Sequence, residues 1–441
     1  MTSSIRVFVL LFGSFVVTVH AGSFRAGAAR IDITPAADAA LPMSGYGGRT
    51  QGFRGIHDNV YVRAIVLDDG TTQAALVAWE SLFVPDVVWA ETSKRIAAET
   101  GIRPENLLLS AVHDHGAPTL GLDETAPKTA AYTKSVMDAA VKAVGRAKLQ
   151  LQPARFGIGA GTAYVNVNRR EFTPGRGWWL GYNEDGPSDK TVTVLRFDDL
   201  AGKPIAFWIN YPVHAVVMGP ENLQITGDIA GATSRFVEQH YLGKDRLRSD
   251  AGMRLRLRPE ERAESDVVAV WTSGAAGDQN PVSMVNGEDL GMVDTLGKIL
   301  GEAAVRAAGG IKTLAEARIR GAQQVVTCPG RRVEPGPTPR TEYKFNDADP
   351  VNIRLGLLMI NDVVLAGVSG EVFTLIAQRL KRESPFNYTV MVTHTNGSSG
   401  YIPNDAAFEP VSYEVTASRL KPGCAEGAIV NTFLDLIAAR R

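Results

Sequence analysis

Apolar residues along the chain follow two spacings in turn. Short β-branched runs predict strands, and longer stretches with a period of about 3.6 residues predict helices. The predicted strands are residues 60–68, 73–79, 107–112, 192–197, 204–211, 267–272 and 389–395, with two more around the turn at 360–362. The predicted helices are residues 86–100, 128–148, 229–241, 289–308, 372–382 and 429–440. This alternation predicts an α/β fold.

Two stretches interrupt the alternation. Residues 244–264 are rich in charge, and residues 329–350 are rich in proline and glycine. No change in composition marks a new domain on either side of them, so both are expected to be surface excursions. We therefore expect residues 22–441 to form a single domain.

The N-terminus has the pattern of an export signal. Arg6 precedes a run of about 13 mostly apolar residues, and Val19-His20-Ala21 places small residues where a signal peptidase cleaves. The run is shorter than the roughly 20 residues of a membrane-spanning helix, which favours a removed signal over residues 1–21. An exported chain is periplasmic or secreted. Cys328 and Cys424 would then meet an oxidising compartment, where they form either a disulfide or two buried thiols.

Charge excludes one class of partner. Lys and Arg total 46 against 47 Asp and Glu, and 45% of the residues are hydrophobic. That balance is typical of a globular protein, and it leaves no basic surface for nucleic acid. It also gives no electrostatic route to anionic membranes, so any membrane contact would be peripheral and would need an apolar rim. The sequence does not indicate an oligomeric state.

Three of the seven histidines follow predicted strands. His113 and His115 end the strand at 107–112, and His214 ends the strand at 204–211. Ligands usually bind at the carboxyl ends of α/β strands, and residues i and i+2 of a strand share a face. Imidazole is a preferred zinc ligand, so the pair favours a metal site. A hydrogen-bonded pair at a strand end explains His113 and His115 equally well from these residues alone.

Carboxylates in similar positions have structural explanations of their own. Glu371 opens a predicted helix, where a negative charge is favourable. Asp228 fits a helix N-cap, and Asp278 fits a tight turn. Several polar residues at the ends of strands in one domain nevertheless favour a shared site.

Ordered motifs across residues 26–427 resemble the catalytic region of the neutral/alkaline non-lysosomal ceramidase family. The similar segments are Arg30 to Thr34 with Met43 to Tyr46, Ser110 to Pro118, Asn166 to Arg169, Asn210 to His214, Gly370-Glu371 and Gly400-Tyr401. The resemblance implies mixed β-sheets flanked by helices.

The resemblance also implies a site and an activity. The zinc ligands would be His113, His214, Glu371 and Tyr401. His115 would pass a proton, and Arg169 would stabilise an oxyanion. The implied protein is an exported zinc-dependent hydrolase that cleaves the amide of an N-acyl sphingosine or a related N-acyl lipid, through hydroxide generated at zinc. Asp228 is expected to orient His214.

Departures from the family keep two alternatives open. Asn280 replaces a serine implicated in catalysis, and its amide is expected to donate a hydrogen bond in the serine's place. Phe408 replaces a tyrosine, Asp114 and Gly116 replace a Thr-Ser pair, and the family's immunoglobulin-like C-terminal domain is expected to be missing. The alternatives are a zinc hydrolase of a soluble amide or ester, and a non-catalytic zinc- or lipid-binding relative. Trp178-Trp179 fits a lipid-facing rim or a packed loop equally well.

Overall fold

The computed structural model of the protein describes residues 24–47, 49, 51–242, 267–287 and 289–440. The predicted export signal and the charged stretch 244–264 lie outside the described residues. None of the described helices combines the length and the apolar character needed to cross a bilayer.

Strands and helices alternate along the described chain. The strands are β1 (Arg25–Asp32), β2 (Gly55–Ile56), β3 (Tyr61–Asp68), β4 (Gln73–Trp79), β5 (Leu107–Ala111), β6 (Gln152–Thr162), β7 (Asn166–Thr173), β8 (Gly177–Asn183), β9 (Thr191–Asp199), β10 (Pro204–Tyr211), β11 (Gln224–Ile225), β12 (Val268–Ser273), β13 (Gln279–Pro281), β14 (Ile319–Val333), β15 (Phe345–Ile360), β16 (Val363–Val368), β17 (Glu371–Val372), β18 (Tyr388–Val392) and β19 (Tyr401–Ile402). The α-helices are α1 (Asp86–Thr100), α2 (Pro127–Leu149), α3 (Asp228–Tyr241), α4 (Gly291–Gly309), α5 (Thr374–Glu383), α6 (Tyr413–Ala417) and α7 (Ala425–Ala438). Short 3-10 turns cover Pro104–Asn106 and Asp405–Phe408.

The largest sheet has eight strands in the order β12-β10-β9-β6-β1-β3-β4-β5. The outer pairs β10/β12 and β4/β5 are parallel, and the inner pairs are antiparallel. Alternate residues of β3 face opposite ways: Ile65 and Leu67 lie in the core that includes residues of α3 and α4, whereas Ala64 and Val66 lie in the core that includes residues of α1 and α2. The sheet therefore carries helices on both faces, as its period-two apolar pattern requires.

A second sheet has the order β14-β15-β16-β18, with β16 and β18 parallel. One face joins the core of the large sheet through Leu358 and Leu365, and the other face packs against α5 and α7. Cys328 of β14 and Cys424 at the start of α7 form a disulfide, with their Cα atoms 5.8 Å apart. Of the two alternatives for these cysteines, a disulfide or two buried thiols, the structure contains the disulfide.

A buried charge cluster fastens α3 to the large sheet. Arg63 of β3 is only 2% exposed and lies between two buried carboxylates. Its Nε donates to Glu238 of α3 at 2.8 Å, and its Nη1 donates to Glu80, which follows β4. Arg30 donates to the second oxygen of Glu238 at 2.6 Å. The carboxylates and arginines compensate one another away from water.

The mixed α/β prediction is confirmed, with one segment predicted wrongly. Residues 329–350 are not a surface excursion throughout, because β14 and β15 run into them from both ends as a long antiparallel hairpin. Pro329 and Gly330 obscured this pattern. They sit at a register shift between Cys328 and Gly330, where a proline does not interrupt the hydrogen-bonded ladder.

Candidate metal centre and active site

Four segments that follow or extend strands meet in one place. His113 comes two residues after β5 ends, and His214 comes three residues after β10 ends. Glu371 and Tyr401 are paired directly in the parallel strands β17 and β19. Strand ends of both large sheets therefore converge, as expected for a ligand site in an α/β fold.

A backbone carbonyl fixes the orientation of the His113 ring. Its Nδ1 lies 2.9 Å from the carbonyl oxygen of Leu82. A carbonyl can only accept, so Nδ1 donates to it and Nε2 is turned toward the site. The residue itself has φ 61°, a left-handed conformation that turns the chain sharply after β5.

His214 is held in the same way. Its Nδ1 donates to the carbonyl oxygens of Ala276 at 2.7 Å and Gln279 at 3.0 Å, so its Nε2 is also the free acceptor. Burial, reinforced by the positive charge of Arg169, lowers the pKa of His214 to about 3. The ring is therefore neutral, which is the form that binds metals.

The prediction that Asp228 orients His214 is wrong. The Asp228 carboxylate instead accepts three backbone N–H groups, from Val217 at 3.1 Å, Met218 at 3.0 Å and Ile229 at 2.7 Å. It therefore fixes the chain that follows His214 and not the imidazole ring. Burial raises the pKa of Asp228 to about 6 despite these bonds.

Glu371 faces the Nε2 atoms of both histidines. Its Oε2 lies 3.3 Å from Nε2 of His113 and 3.3 Å from Nε2 of His214. Oε2 of Glu371 and Nε2 of His214 are buried without a hydrogen-bond partner among the described residues. Ligands about 2.0–2.1 Å from a tetrahedral zinc lie about 3.3–3.4 Å from one another. The three residues thus have the donor chemistry and the spacing to hold such a cation.

Tyr401 and Arg169 stand beside this set. The Tyr401 hydroxyl accepts a hydrogen bond from Nη2 of Arg169 at 3.0 Å. Arg169 is buried and donates through Nε to Glu414 at 2.6 Å and through Nη1 to Asn280 at 3.2 Å. Burial, together with the charge of Glu371, holds the pKa of Tyr401 well above its usual value. Tyr401 is a potential oxygen ligand, and Arg169 is a fixed positive charge at its side.

His115 is closer to the centre than the resemblance implies. Its Nε2 lies 3.4 Å from Nε2 of His113, and nitrogen atoms of His113, His115 and His214 all lie within 4.8 Å of one another. Burial, followed by the neighbouring histidines, holds the pKa of His115 well below its usual value. The geometry therefore makes His115 a further candidate ligand as well as a candidate proton carrier.

Asn280 contacts Arg169 at the site, whereas Asp278 binds neighbouring secondary-structure elements. Asn280 accepts from Arg169 through its amide oxygen, and its amide nitrogen lies 3.3 Å from the sulfur of Met284. Asp278 accepts from the backbone N–H of Thr374 at 3.0 Å and from Asn168 at 3.2 Å. Asp278 therefore ties β13 to α5 and β7, which extends the turn role expected of it.

Sequence reasoning missed His394. Its ring stacks on His113 at 4.0 Å with an interplanar angle of 14°, and it is buried. His394 lies near the end of the predicted strand 389–395. Its position near a strand end, like that of His113, was the feature of the sequence that could have identified it.

The β7–β8 hairpin projects from the site with two distinct faces. Phe172 and Trp178 are directly paired, and Leu180 and Tyr182 alternate onto the same side of β8 as Trp178. Phe172, Leu180 and Tyr182 are 56%, 43% and 47% exposed. Trp179 points the other way and contacts Tyr413 at 5.7 Å. One tryptophan is therefore packed, and the other belongs to an exposed apolar face.

Comparisons with known proteins give a matching family and several relatives. A family described as "Neutral/alkaline non-lysosomal ceramidase, N-terminal" matches residues 24–293. Neutral ceramidase of Drosophila melanogaster is 28% identical over 256 residues, which are 54% of this chain and 35% of that protein. Neutral ceramidase of Pseudomonas aeruginosa is 29% identical over 228 residues, 48% of this chain and 33% of that protein. These matches span about a third of the length of the curated relatives.

Two solved structures share the fold. One, titled "Ceramidase complexed with C2", superposes with a TM-score of 0.73 and 19% identity over 95% of this chain and 75% of that chain. The other is a neutral ceramidase from Pseudomonas aeruginosa, with a TM-score of 0.71, 19% identity and coverage of 95% and 74%. At that identity the likeness establishes the architecture, including the mixed sheets flanked by helices.

Proposed function

Because the chain belongs to the neutral/alkaline non-lysosomal ceramidase family, we propose that it is an exported zinc-dependent hydrolase that cleaves the amide bond of an N-acyl lipid such as ceramide. The zinc ligands would be His113, His214, Glu371 and Tyr401. Export rests on the signal pattern in residues 1–21, and the Cys328–Cys424 disulfide supports it because such bonds persist in oxidising compartments.

One observation carries the proposal. Nε2 of His214 and Oε2 of Glu371 are buried and have no hydrogen-bond partner among the residues that the structure describes. Oε2 of Glu371 lies 3.3 Å from Nε2 of both His113 and His214, which is the spacing of zinc ligands. Buried polar atoms are normally paired, so unpaired acceptors that point at one centre imply a cation there.

The side chains around the centre suit amide hydrolysis. When bound, zinc lowers the pKa of water to near 7 and polarises a carbonyl group. Arg169 is held rigidly by Glu414 and Asn280, so its guanidinium can stabilise the negative charge that develops on the carbonyl oxygen. A fixed donor of this kind contributes roughly 3 kcal/mol. His115 has a lowered pKa and is neutral at rest, so it would first accept the proton released by the attacking water and then give it to the leaving amine.

Asn280 would act through Arg169 and not on the substrate directly. Its amide oxygen accepts from the guanidinium, and its amide nitrogen contacts Met284, so neither group is placed as the expected donor in the serine's position. We therefore assign Asn280 a positioning role. This scheme requires no serine nucleophile.

Metal analysis combined with a hydrolysis panel tests the proposal. We expect about one zinc per chain and faster hydrolysis of long-chain than of short-chain N-acyl substrates, with amides preferred over matched esters. A preference for short, soluble acyl groups would replace the lipid substrate with a soluble amide or ester. One zinc per chain without turnover of any substrate would instead identify a non-catalytic binder.

The exposed face of the β7–β8 hairpin is proposed to meet lipid beside the site. Trp and Tyr side chains favour the interface between lipid and water, and Arg176 stands in the turn between the strands. The same β7 strand carries Arg169 at its buried end, so contact through the tip would bring the site to the lipid surface.

Removing apolar side chains from that face should separate lipid from soluble substrates. The double change Phe172→Ser and Leu180→Ser should lower hydrolysis of ceramide in vesicles by more than tenfold, because each buried side chain contributes about 1.5–3 kcal/mol to interfacial binding. Hydrolysis of a short-chain soluble N-acyl substrate should change less than twofold. The exposed change Leu149→Ser, at the end of α2, is the matched control. An equal loss on both substrates would contradict the lipid role.

A further inference from the structure

A cavity of about 220 Å³ lies beside residues 416–419. These residues closely follow Glu414, which binds Arg169. The cavity is lined by the β14 residues Arg331 and Arg332, by Thr416, Ser418 and Arg419, and by Asp349 among others. The lining thus includes three arginines and one aspartate. Ser418 also donates to the Tyr401 carbonyl oxygen at 2.9 Å, so the cavity wall is continuous with the active site.

Arg331 is the unusual member of this lining. It is 8% exposed, and its guanidinium carbon lies 3.7 Å from the centre of the Phe345 ring and 4.8 Å from that of Phe408. Its Nη2 donates to the Val415 carbonyl oxygen at 3.0 Å, whereas its buried Nε has no acceptor within the described part of the chain. Two aromatic faces and one carbonyl are weak compensation for a buried charge.

The arginines of this cavity are not paired with any carboxylate among the described residues. Across the described ranges, Arg331, Arg332 and Arg419 form no ion pair, although nearby Lys421 binds Asp347 at 2.7 Å. Burial alone lowers the pKa of Arg331 to about 10, with no carboxylate to offset it. Arg63, by contrast, is buried between two carboxylates. The Arg331 cavity therefore has a net positive lining, and within the described residues its arginines are not paired with carboxylates.

We propose that the cavity lined by Arg331, Arg332 and Arg419 binds a phosphate-type oxyanion, with the Arg331 guanidinium as its anchor. Guanidinium groups bind such anions through paired N–H groups. Phe408 has a structural part in this site, because its ring forms one side of the Arg331 sandwich. The anion is either free phosphate or the phosphate of a lipid headgroup.

Calorimetric titration of the full chain with inorganic phosphate, at constant ionic strength, tests the proposal. We expect one saturable site and at least tenfold weaker binding in Arg331→Met. That variant should fold, because an apolar side chain suits the aromatic surroundings. Should it not fold, the exposed change Arg419→Gln makes the same test and should weaken binding severalfold. Arg340→Met is the matched control, since Arg340 also lies over an aromatic ring, at 4.8 Å from Tyr343, but outside the cavity.

Two further arms separate this site from others and identify the source of the anion. Binding should persist in His113→Ala, because phosphate held at the metal centre would be lost there. Co-sedimentation with phosphatidate vesicles, compared with phosphatidylcholine vesicles, shows whether a lipid phosphate is the ligand. Arg331-dependent binding of either phosphate supports the proposal. Saturable binding of neither, or binding unchanged in Arg331→Met and Arg419→Gln, overturns it.

Discussion

Replacing His113 with alanine is expected to remove the bound zinc and to lower hydrolysis by a factor on the order of a thousand or more. His113 presents its Nε2 toward Glu371 while the Leu82 carbonyl holds the opposite side of the ring. Without this ligand the remaining set keeps the carboxylate but loses a fixed nitrogen donor. Zinc per chain by atomic emission, and turnover of ceramide in mixed micelles, measure the two effects.

His240→Ala is the control for this change. His240 is an exposed histidine in the last turn of α3, far from the centre, and its loss should leave zinc content and turnover unchanged. Circular dichroism should show that both variants are folded. A folded His113→Ala protein with full activity would exclude the metal mechanism. Zinc loss without loss of turnover would separate metal binding from catalysis.

Replacing Arg63 with alanine should destabilise the whole fold by about 3–5 kcal/mol, because it leaves buried carboxylates uncompensated. Glu80 and Glu238 are 2% and 3% exposed, and Arg63 contacts both. Glu238 keeps Arg30 and the backbone N–H of Ala269. Within the described part of the chain, Glu80 keeps a hydrogen bond from the N–H of Tyr61 and the nearby charge of Arg235. Urea unfolding measures the loss. The exposed pair Arg95–Asp138 supplies the control, and Arg95→Ala should cost less than about 1 kcal/mol.

The effect of Arg63→Ala should depend on pH with a definite sign. Burial raises the pKa of Glu80. Burial also acts to raise the pKa of Glu238, but the charges of Arg63 and Arg30 outweigh it and hold that pKa below its usual value. Without Arg63 the pKa values of both glutamates rise in the folded state. A raised carboxyl pKa favours the fold below the pKa of the unfolded chain, about 4.3, and that contribution is lost as pH rises through the folded value. The stability difference from wild type should therefore be smaller at pH 4 than at pH 7, and an unchanged difference would contradict this account.

The parts of the fold that sequence predicted well have strong local boundaries. Helix α1 begins and ends where predicted, because Pro85 precedes it and Gly101 ends it with φ 74°. Strand β1 was missed although it pairs with β3 along its whole length. Its apolar residues are mostly alanine, which has little strand preference, so only tertiary packing specifies it.

Some residues of the candidate site could likewise be identified from local sequence, and others could not. His113 and His214 follow recognisable apolar strands, so position and residue type made them candidates, although a structural role explained His113 equally well and His214 alone better. Glu371 and Tyr401 needed the family resemblance, since each has an ordinary structural explanation when taken alone. The partners of the His214 ring are carbonyl oxygens of residues 62 and 65 positions away. Every residue has a carbonyl, so no side-chain pattern could have distinguished these acceptors from Asp228.

The wide separation of the four proposed ligands along the chain has a consequence for folding. His113 and His214 are contributed by elements around the large sheet, whereas Glu371 and Tyr401 depend on the pairing of β17 with β19 near the C-terminus. Contacts between such distant segments form slowly, because the intervening chain must first be ordered. During synthesis the full set of ligands exists only after β19 has been made and paired. In refolding, tight uptake of zinc should therefore lag behind the recovery of helical content and report the last step of assembly.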